Sequence, residues 1–187
     1  AIHVNDQGTT VSMTALNSIH GIVEIPIGDS SSSSGDVTTT TTTTTTTVTC
    51  VDTDCGVCVR DLQLYANKHG YELPFCANIG NSTVGGTVFT LTKDSCIGDS
   101  PIPGMGLGDV ASCLFRVTIV DDKGELGDFQ YMDKDGECNS EFQKLLDSQG
   151  TRGIAVRMLM AVRRKTPVTT TEHFIPFEKR RMGREKL

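Results

Sequence analysis

Residues 113–126 read CLFRVTIVDDKGEL, and this stretch carries the clearest structural signal in the chain. Its first half is rich in β-branched and aromatic residues, which favour an extended strand. A polar group with turn chemistry, Asp122-Lys123-Gly124, follows directly. The stretch therefore predicts a strand, a tight turn at 122–124 and an antiparallel return strand.

Downstream of this hairpin, one helix and one strand are predicted. EFQKLLDSQG (141–150) has helical periodicity and ends at Gly150, a residue suited to the end of a helix. GIAVRMLMAVRR (153–164) alternates enough to predict a strand with one polar face.

Upstream, VTCVD (48–52) predicts a strand, and a helix follows from Val59 until Gly70 ends it. His69 lies at the end of that helix, where the helix dipole favours a cation. GIVEI (21–25) predicts a further short strand that stops at Pro26. Strands with two short helices indicate an α+β fold with a mixed or antiparallel sheet.

Between the first two strands the composition changes to five serines (Ser30–Ser34) and ten threonines (Thr38–Thr47). Three interpretations stay open. The tract is a disordered or glycosylated linker, it forms strand through the branched threonine side chains, or it stands in for residues that were not securely identified.

Length and charge limit the class of protein. The chain has 187 residues, which suits one large domain or two small subdomains. A net charge of −6 and the absence of Trp argue against a nucleic-acid partner. No apolar run reaches the roughly 20 residues of a membrane-spanning helix. The compartment stays open between secreted and cytoplasmic.

The seven cysteines include the spacing Cys50-x4-Cys55-x2-Cys58, which matches three ligands of a plant-type iron–sulfur site. However, the predicted strand at Cys50 and the predicted helix start at Cys58 place these thiols on different elements. A local disulfide and buried or free thiols are the other interpretations, and we expect no metal site. The four histidines lack metal-ligand spacing, and no nucleophile elbow or Walker loop is present.

IGNSTVGGTVFTLTKDS (79–95) places a glycine pair, Gly85 and Gly86, within a stretch that otherwise suggests a buried strand. Glycine inside a strand marks a bulge or a close approach of another group to the main chain. A tight turn in a sheet is one explanation. The other is a concavity of main-chain N–H groups that receives an anion.

The order of these segments resembles the flavin-binding domain of the vanillyl-alcohol-oxidase type, the PCMH-type family of FAD-linked sugar, lactone and phenol oxidases. Three segments carry the resemblance, which runs from about Ser12 to Val168: CGVCVRDLQLYANKHGYELPF (55–75), NSTVGGTVFTLTKDS (81–95) and SQGTRGIAVRMLMAVRRKTPV (148–168). It implies a PCMH-type FAD-binding fold. Residues 1–29 would be a remnant of the N-terminal FAD subdomain and 30–47 a low-complexity segment. Residues 48–168 would form the main FAD-binding subdomain, followed by a basic tail at 169–187.

The resemblance also implies a set of cofactor-contacting positions, with the glycine pair facing the flavin and its pyrophosphate and Lys93 close to the isoalloxazine. The implied FAD-binding residues are Ser12, Thr83, Gly85, Gly86, Thr92, Lys93, Asp94 and Ile154. Val11 stands where many family members carry a flavin-attaching histidine, which implies non-covalent FAD.

Two functions from different classes follow. The first is the FAD-binding domain of an oxidoreductase acting on a small hydroxylated substrate; no catalytic residue can be named, because the family's substrate domain usually supplies the base. The second is a cofactor-free structural or assembly subunit that keeps the fold. We expect the N-terminal half-domain and the substrate domain to be missing or degenerate, and a partner chain or oligomer to supply them.

Overall fold

A computed structural model describes residues 12–27, 46–76, 80–93, 95–96, 99–106, 108–132, 137–167, 169 and 171–172. The predictions made for Val11, for Asp94, for the Ser/Thr tract up to residue 45 and for the last 15 residues of the basic tail lie outside the described residues.

A five-stranded antiparallel sheet organises the described part of the chain. Its strands are β1 (Ile19–Ile27), β2 (Thr46–Asp54), β6 (Leu114–Val120), β7 (Leu126–Gln130) and β8 (Ile154–Ala161). They lie in the order β1-β2-β8-β6-β7, and every neighbouring pair is antiparallel. The first described strand, β1, therefore lies at one edge of the sheet, and the last long strand, β8, lies in its centre.

Shorter elements surround this sheet. Two-residue strands form two further antiparallel pairs, β3 (Tyr71–Glu72) with β9 (Arg163–Arg164) and β4 (Phe75–Cys76) with β5 (Ser95–Cys96). The described helices are α1 (Val59–Lys68), α2 (Val84–Phe89), α3 (Ser140–Asp147) and a 3₁₀ turn at Val110–Cys113. The α+β class with an antiparallel sheet and few short helices is thus confirmed.

The predicted β6–β7 hairpin is confirmed, and one side chain organises its turn. The Asp121 carboxylate accepts hydrogen bonds from the amides of Lys123 (2.9 Å) and Glu125 (2.8 Å). Gly124 adopts φ +82°, which glycine reaches without steric cost. The turn is therefore specified locally, as the sequence indicated.

The two predicted helices are also confirmed. α1 buries Val59, Leu62 and Ala66, which lie on one face of the helix. α3 begins where the Asn139 side chain accepts the amide of Glu141 (3.0 Å), and it buries one apolar face. Both helices end close to a glycine in the left-handed region, Gly70 and Gly150.

Three strand predictions need correction. The first strand does not stop at Pro26, since β1 continues to Ile27. Among the described strands β1 lies at an edge of the sheet, where the missing N–H of proline is tolerated. β2 begins at Thr46, so the last two threonines of the tract belong to the sheet. The polar face predicted for 153–164 is wrong beyond Arg157, because β8 lies between β2 and β6 and residues 158–162 are all buried.

The core is built on the central strands and the helices that cover them. Its largest fully buried side chains include Phe115, Phe142, Leu62, Met158 and Met160. No helix among the described residues is long and apolar enough to cross a membrane.

Candidate functional site

The stretch with the glycine pair forms the short helix α2, so the prediction that these glycines interrupt a strand is wrong. Thr83 precedes the helix in an extended conformation, and its hydroxyl accepts the amide of Gly86 (3.2 Å). This is the geometry of a helix N-cap. The hydroxyl of Thr83, which was expected to reach a phosphate, is therefore engaged within the protein.

Gly85 lies against the turn that follows β2. Its amide donates to the carbonyl of Cys55 (2.9 Å). A Cβ atom at Gly85 would lie 2.9 Å from the Cβ of Cys55 and 3.1 Å from its carbonyl oxygen. The close approach that requires glycine here is thus made by the protein's own main chain.

The remaining first-turn amides of α2 also have acceptors. Val84 donates to the Val57 carbonyl (2.8 Å) and Thr87 donates to the Thr83 carbonyl (3.0 Å). With the bonds of Gly85 and Gly86, all four N–H groups from residue 84 to 87 are satisfied. These amides therefore do not form the anion-receiving concavity that was considered for this stretch.

Gly86 has a different environment from its neighbour. It is exposed, and a Cβ atom there would meet only the Thr83 hydroxyl, at 2.9 Å. Beyond that hydroxyl, the main chain at Gly86 faces open space. A flat guest can approach the helix from this side.

The turn formed by residues 54–57 brings together three of the predicted cofactor-contacting segments. On one side it packs on Gly85. On another, a Cβ atom at Gly56 would lie 2.2 Å from the Met13 carbonyl oxygen and 2.3 Å from that of Leu16, in the segment that begins at Ser12. On the third, the Cys55 amide donates to the carbonyl of Val156 in β8 (3.0 Å).

Ser12 and Ile154, the outer members of this group, are both exposed. The Ser12 hydroxyl lies 3.0 Å from that of Thr14. Ile154 begins β8, pairs with Val120 and keeps 42% of its surface accessible. An exposed isoleucine at the start of a central strand offers apolar surface to a ligand or a partner.

Thr92 and Lys93 lie at the opposite end of α2, away from its N-cap. The Thr92 carbonyl accepts the amide of Val110 (3.2 Å). The Lys93 ammonium pairs with the Asp109 carboxylate (3.1 Å), and 74% of the lysine side chain is exposed. In this structure Lys93 tethers the loop before the 3₁₀ turn; Asp94 is outside the described residues.

Sequence reasoning missed a polar cluster at the end of β2. The Asp54 carboxylate accepts the amide of Ser18 (3.0 Å) and lies 2.8 Å from Nε2 of His20. Two residues earlier, Asp52 binds Arg157 of β8 through two hydrogen bonds of 2.7 and 2.6 Å. The available signal was VDTD (51–54), which places two carboxylates on alternate positions at the end of a strand.

These contacts shift two pKa values. Burial alone would raise the pKa of the Asp54 carboxyl, but the hydrogen bonds from His20 and the Ser18 amide outweigh it, so that its pKa is lowered. The hydrogen bonds to Asp52 raise the pKa of the Arg157 guanidinium. The Asp54 carboxylate and the Arg157 guanidinium are therefore both charged at neutral pH.

The cysteines of the iron–sulfur spacing lie on different elements: Cys50 within β2, Cys55 in the following turn and Cys58 at the start of α1. All three are free thiols, and burial raises the pKa values of Cys50 and Cys55 to about 12. Within the described residues, no three His, Cys, Asp or Glu side chains are grouped to hold a metal ion.

Comparison with known proteins gives one informative relative. The chain is 31% identical over 123 residues to a D-arabinono-1,4-lactone oxidase of Eremothecium gossypii. The match covers 66% of this chain but only 21% of that oxidase, so the chain spans about a fifth of the relative's length. No protein-family model matches the chain.

Proposed function

We propose that this chain is the FAD-binding portion of an FAD-linked oxidoreductase of the vanillyl-alcohol-oxidase type. The similarity to a lactone oxidase supports the broad resemblance to FAD-linked oxidases that the order of segments indicated. The antiparallel α+β sheet with short helices is compatible with the PCMH-type fold.

The observation that carries this proposal is the convergence at the turn formed by residues 54–57. Ser12, Gly85 and Ile154 are far apart in sequence, and the segments that contain them all contact this turn. A cofactor site assembled from several chain segments needs such a meeting point. The exposed main chain of Gly86 and the apolar surface of Ile154 are the groups offered to a flat ring system.

The fit to FAD is partial. The open side of Gly86 accommodates a planar group, whereas the α2 amides are already hydrogen-bonded and do not bind a pyrophosphate. The phosphates would have to be held elsewhere. When bound, the flavin would supply the redox chemistry, and this chain would bind and orient it non-covalently.

The substrate that we propose is a small hydroxylated molecule such as a sugar lactone, the class named in the relative's description. Among the described residues, no side chain is placed to be assigned as the catalytic base. We propose that a further domain or a partner chain supplies it, together with the parts of the relative that this chain does not match.

A specific observation favours the alternative function, a cofactor-free structural or assembly subunit. Cys55 fills the space beside Gly85, and the Thr83 hydroxyl caps α2 instead of facing a ligand. A glycine at position 85 that is explained by internal packing is what such a descendant would retain.

The experiment that separates the two functions is an absorption spectrum of the isolated protein, followed by acid release of bound flavin and by titration of the cofactor-free protein with FAD. Flavin bands and saturable binding support the proposal. A colourless protein that does not bind added FAD supports the alternative.

A matched pair of variants locates the site. Gly86→Leu should fill the open side of α2 and weaken FAD binding by about tenfold or more, because a side chain replaces the space for the ring. Asn67→Leu, on the exposed surface of α1, should leave FAD affinity unchanged. Equal affinities in the two variants would place the cofactor away from Gly86.

A further inference from the structure

Asp54, the last residue of β2, makes two hydrogen bonds to Ser18, which precedes β1, and one to His20 within β1. Its two carboxylate oxygens take the Ser18 amide and Nε2 of His20, and its own amide donates to the Ser18 carbonyl (2.9 Å). Only 13% of the Asp54 side chain is exposed. The carboxylate is therefore committed to holding residues 18–20.

A β-bulge directs His20 toward this carboxylate. The pairing of β1 with β2 shifts between Ile19 and Gly21, so that His20 has no partner of its own in the ladder. Gly21 has φ +149°, a conformation that side-chain-bearing residues rarely adopt. Bulges re-aim side chains at such places, and here the imidazole turns onto Asp54.

The segment held by Asp54 is the one that closes over Gly56. The Met13 and Leu16 carbonyls contact Gly56, and a hydrogen bond from the Leu16 amide to the Met13 carbonyl (2.9 Å) closes the turn between them. Gly56 follows Cys55, which packs on Gly85. The residue that Asp54 holds and the carbonyls that contact Gly56 thus belong to one short segment, residues 13–18.

Charged groups from the neighbouring strands face Asp54. Arg157 of β8 is its partner in the register and is bound to Asp52 of β2. Asp128 of β7 lies close enough to Arg157 to act on its charge. His20 is the group from β1, and its imidazolium form would add a charge-assisted bond to Asp54.

We infer that Asp54 is a positioning residue, which fixes residues 12–18 against the turn formed by 54–57 and so shapes the edge at which a flavin would lie. The identity of the ligand rests on the proposed function. The clamp itself is a property of the cofactor-free protein and is tested there.

The test is amide hydrogen exchange in the cofactor-free protein. Asp54→Ala should raise the exchange rates of the Leu16 and Ser18 amides by about tenfold, because both side-chain bonds are lost. Asp54→Asn should give a smaller increase, since its amide oxygen still accepts the Ser18 N–H, and it provides the conservative comparison if the alanine variant does not fold.

The control is Asp52→Asn, two residues from Asp54 on the same strand face, which removes the negative charge and one of the two acceptors that bind Arg157. After correction for global stability, the control should leave exchange at residues 13–18 unchanged. If the Asp52 and Asp54 variants loosen this segment equally, the inference is overturned.

The pH dependence of hydrogen exchange at the Ser18 amide distinguishes a clamp formed by the ionised Asp54 carboxylate from a residue that only fills space. Since the pKa of Asp54 is lowered from 3.8, protection of the Ser18 amide in the wild type should persist below that pH and disappear as the pH falls through the lowered value. In Asp54→Asn the corrected exchange should be flat over this range. A wild-type profile that is also flat contradicts the inference.

FAD titration then separates the two hypotheses. If the wild type binds FAD, Asp54→Ala should weaken binding by about tenfold while Asp52→Asn does not. If the wild type binds none, the proposed function fails, and the exchange data alone decide whether Asp54 is the clamp.

Discussion

At the scale of one residue, Gly85 shows that space beside the main chain can be required either by a ligand or by the protein's own packing. A glycine pair among hydroxyls suggested that a guest molecule approaches the main chain. At Gly85 the approaching group is Cys55, and only Gly86 has an open side. Which glycine is needed for packing depends on a contact with a residue 30 positions earlier, and local sequence does not carry that information.

Gly85→Ala should therefore destabilise the fold. The new methyl group would meet the Cβ and carbonyl of Cys55 at about 3 Å, an overpacking expected to cost roughly 1–3 kcal/mol. Urea unfolding measures this loss. Gly86→Ala is the matched control, in which the gain in helix propensity and the disturbance of the Thr83 cap oppose each other, so that stability changes little. Equal losses in both variants would contradict the packing described here.

The cysteines should differ sharply in reactivity. The thiols of Cys50 and Cys55 are buried and their pKa values are raised to about 12, so that neither forms an appreciable amount of thiolate at pH 8. Cys138 is exposed. Iodoacetamide should label Cys138 in the native protein, and Cys50 and Cys55 only after unfolding, as peptide mass spectrometry can show. Cys138→Ser should remove this rapid labelling, and rapid labelling of Cys50 in the folded protein would contradict its burial.

At the scale of elements, the segments with strong local signals were predicted correctly. The β6–β7 turn is fixed by Asp121 and Gly124, and α1 and α3 carry apolar stripes that match the helical period. Helix α2 was missed because it has only six residues and two glycines, which disfavour helix. Its first turn is held by carbonyls of the 55–57 turn, a tertiary contact that overrides propensity.

Strand β8 was predicted as a strand, but its central position was not. The polar face was predicted from the alternation in residues 153–164. Within β8 its charged residue is Arg157, which binds Asp52 on the neighbouring strand. That pairing spans 105 residues of sequence. The same long range hides the contacts that Met13, Gly85 and Val156 make with the turn formed by residues 54–57. The sequence therefore predicted candidate site residues but could not predict which segments meet.

Because β8 is buried, replacing an apolar residue in it should destabilise the protein much more than replacing an exposed apolar residue elsewhere in the sheet. Met160→Ala should destabilise the protein by roughly 2–5 kcal/mol, because it removes a fully buried side chain and leaves a cavity. Leu126→Ala, at the exposed start of β7, should change stability by about 0.5 kcal/mol or less. Thermal or urea unfolding tests both, and a small loss for Met160→Ala would show that β8 is not central.

At the scale of the whole molecule, polar side-chain pairs tie together strands that are distant in sequence. His20–Asp54 joins β1 to β2, Asp52–Arg157 joins β2 to β8, and Glu72–Arg163 joins β3 to β9. Each partner lies on a different strand, so these pairs hold the register of the fold more than they add to its total stability.

The loss of free energy of unfolding at acidic pH should depend on Asp54. An acid whose pKa is lower in the folded state stabilises the fold at pH values above its unfolded pKa, and this contribution is lost as the pH falls through the folded value. The pKa of Asp54 is lowered from 3.8, so wild-type stability should fall below that pH. Asp54→Asn should be less stable at pH 7 but lose less on acidification. Parallel curves from thermal melts at pH 7 and pH 3 would contradict this.

Among the described strands, β1 lies at an edge of the sheet, and its outer side has a consequence for the behaviour of the protein at high concentration. A free strand rim invites sheet growth between molecules when it presents an unbroken row of donors and acceptors. Here the bulge between Ile19 and Gly21 interrupts that row near one end, and Pro26 removes a donor near the other. The rim is therefore a poor template for intermolecular stacking, a safeguard against fibril formation that lies within the strand itself.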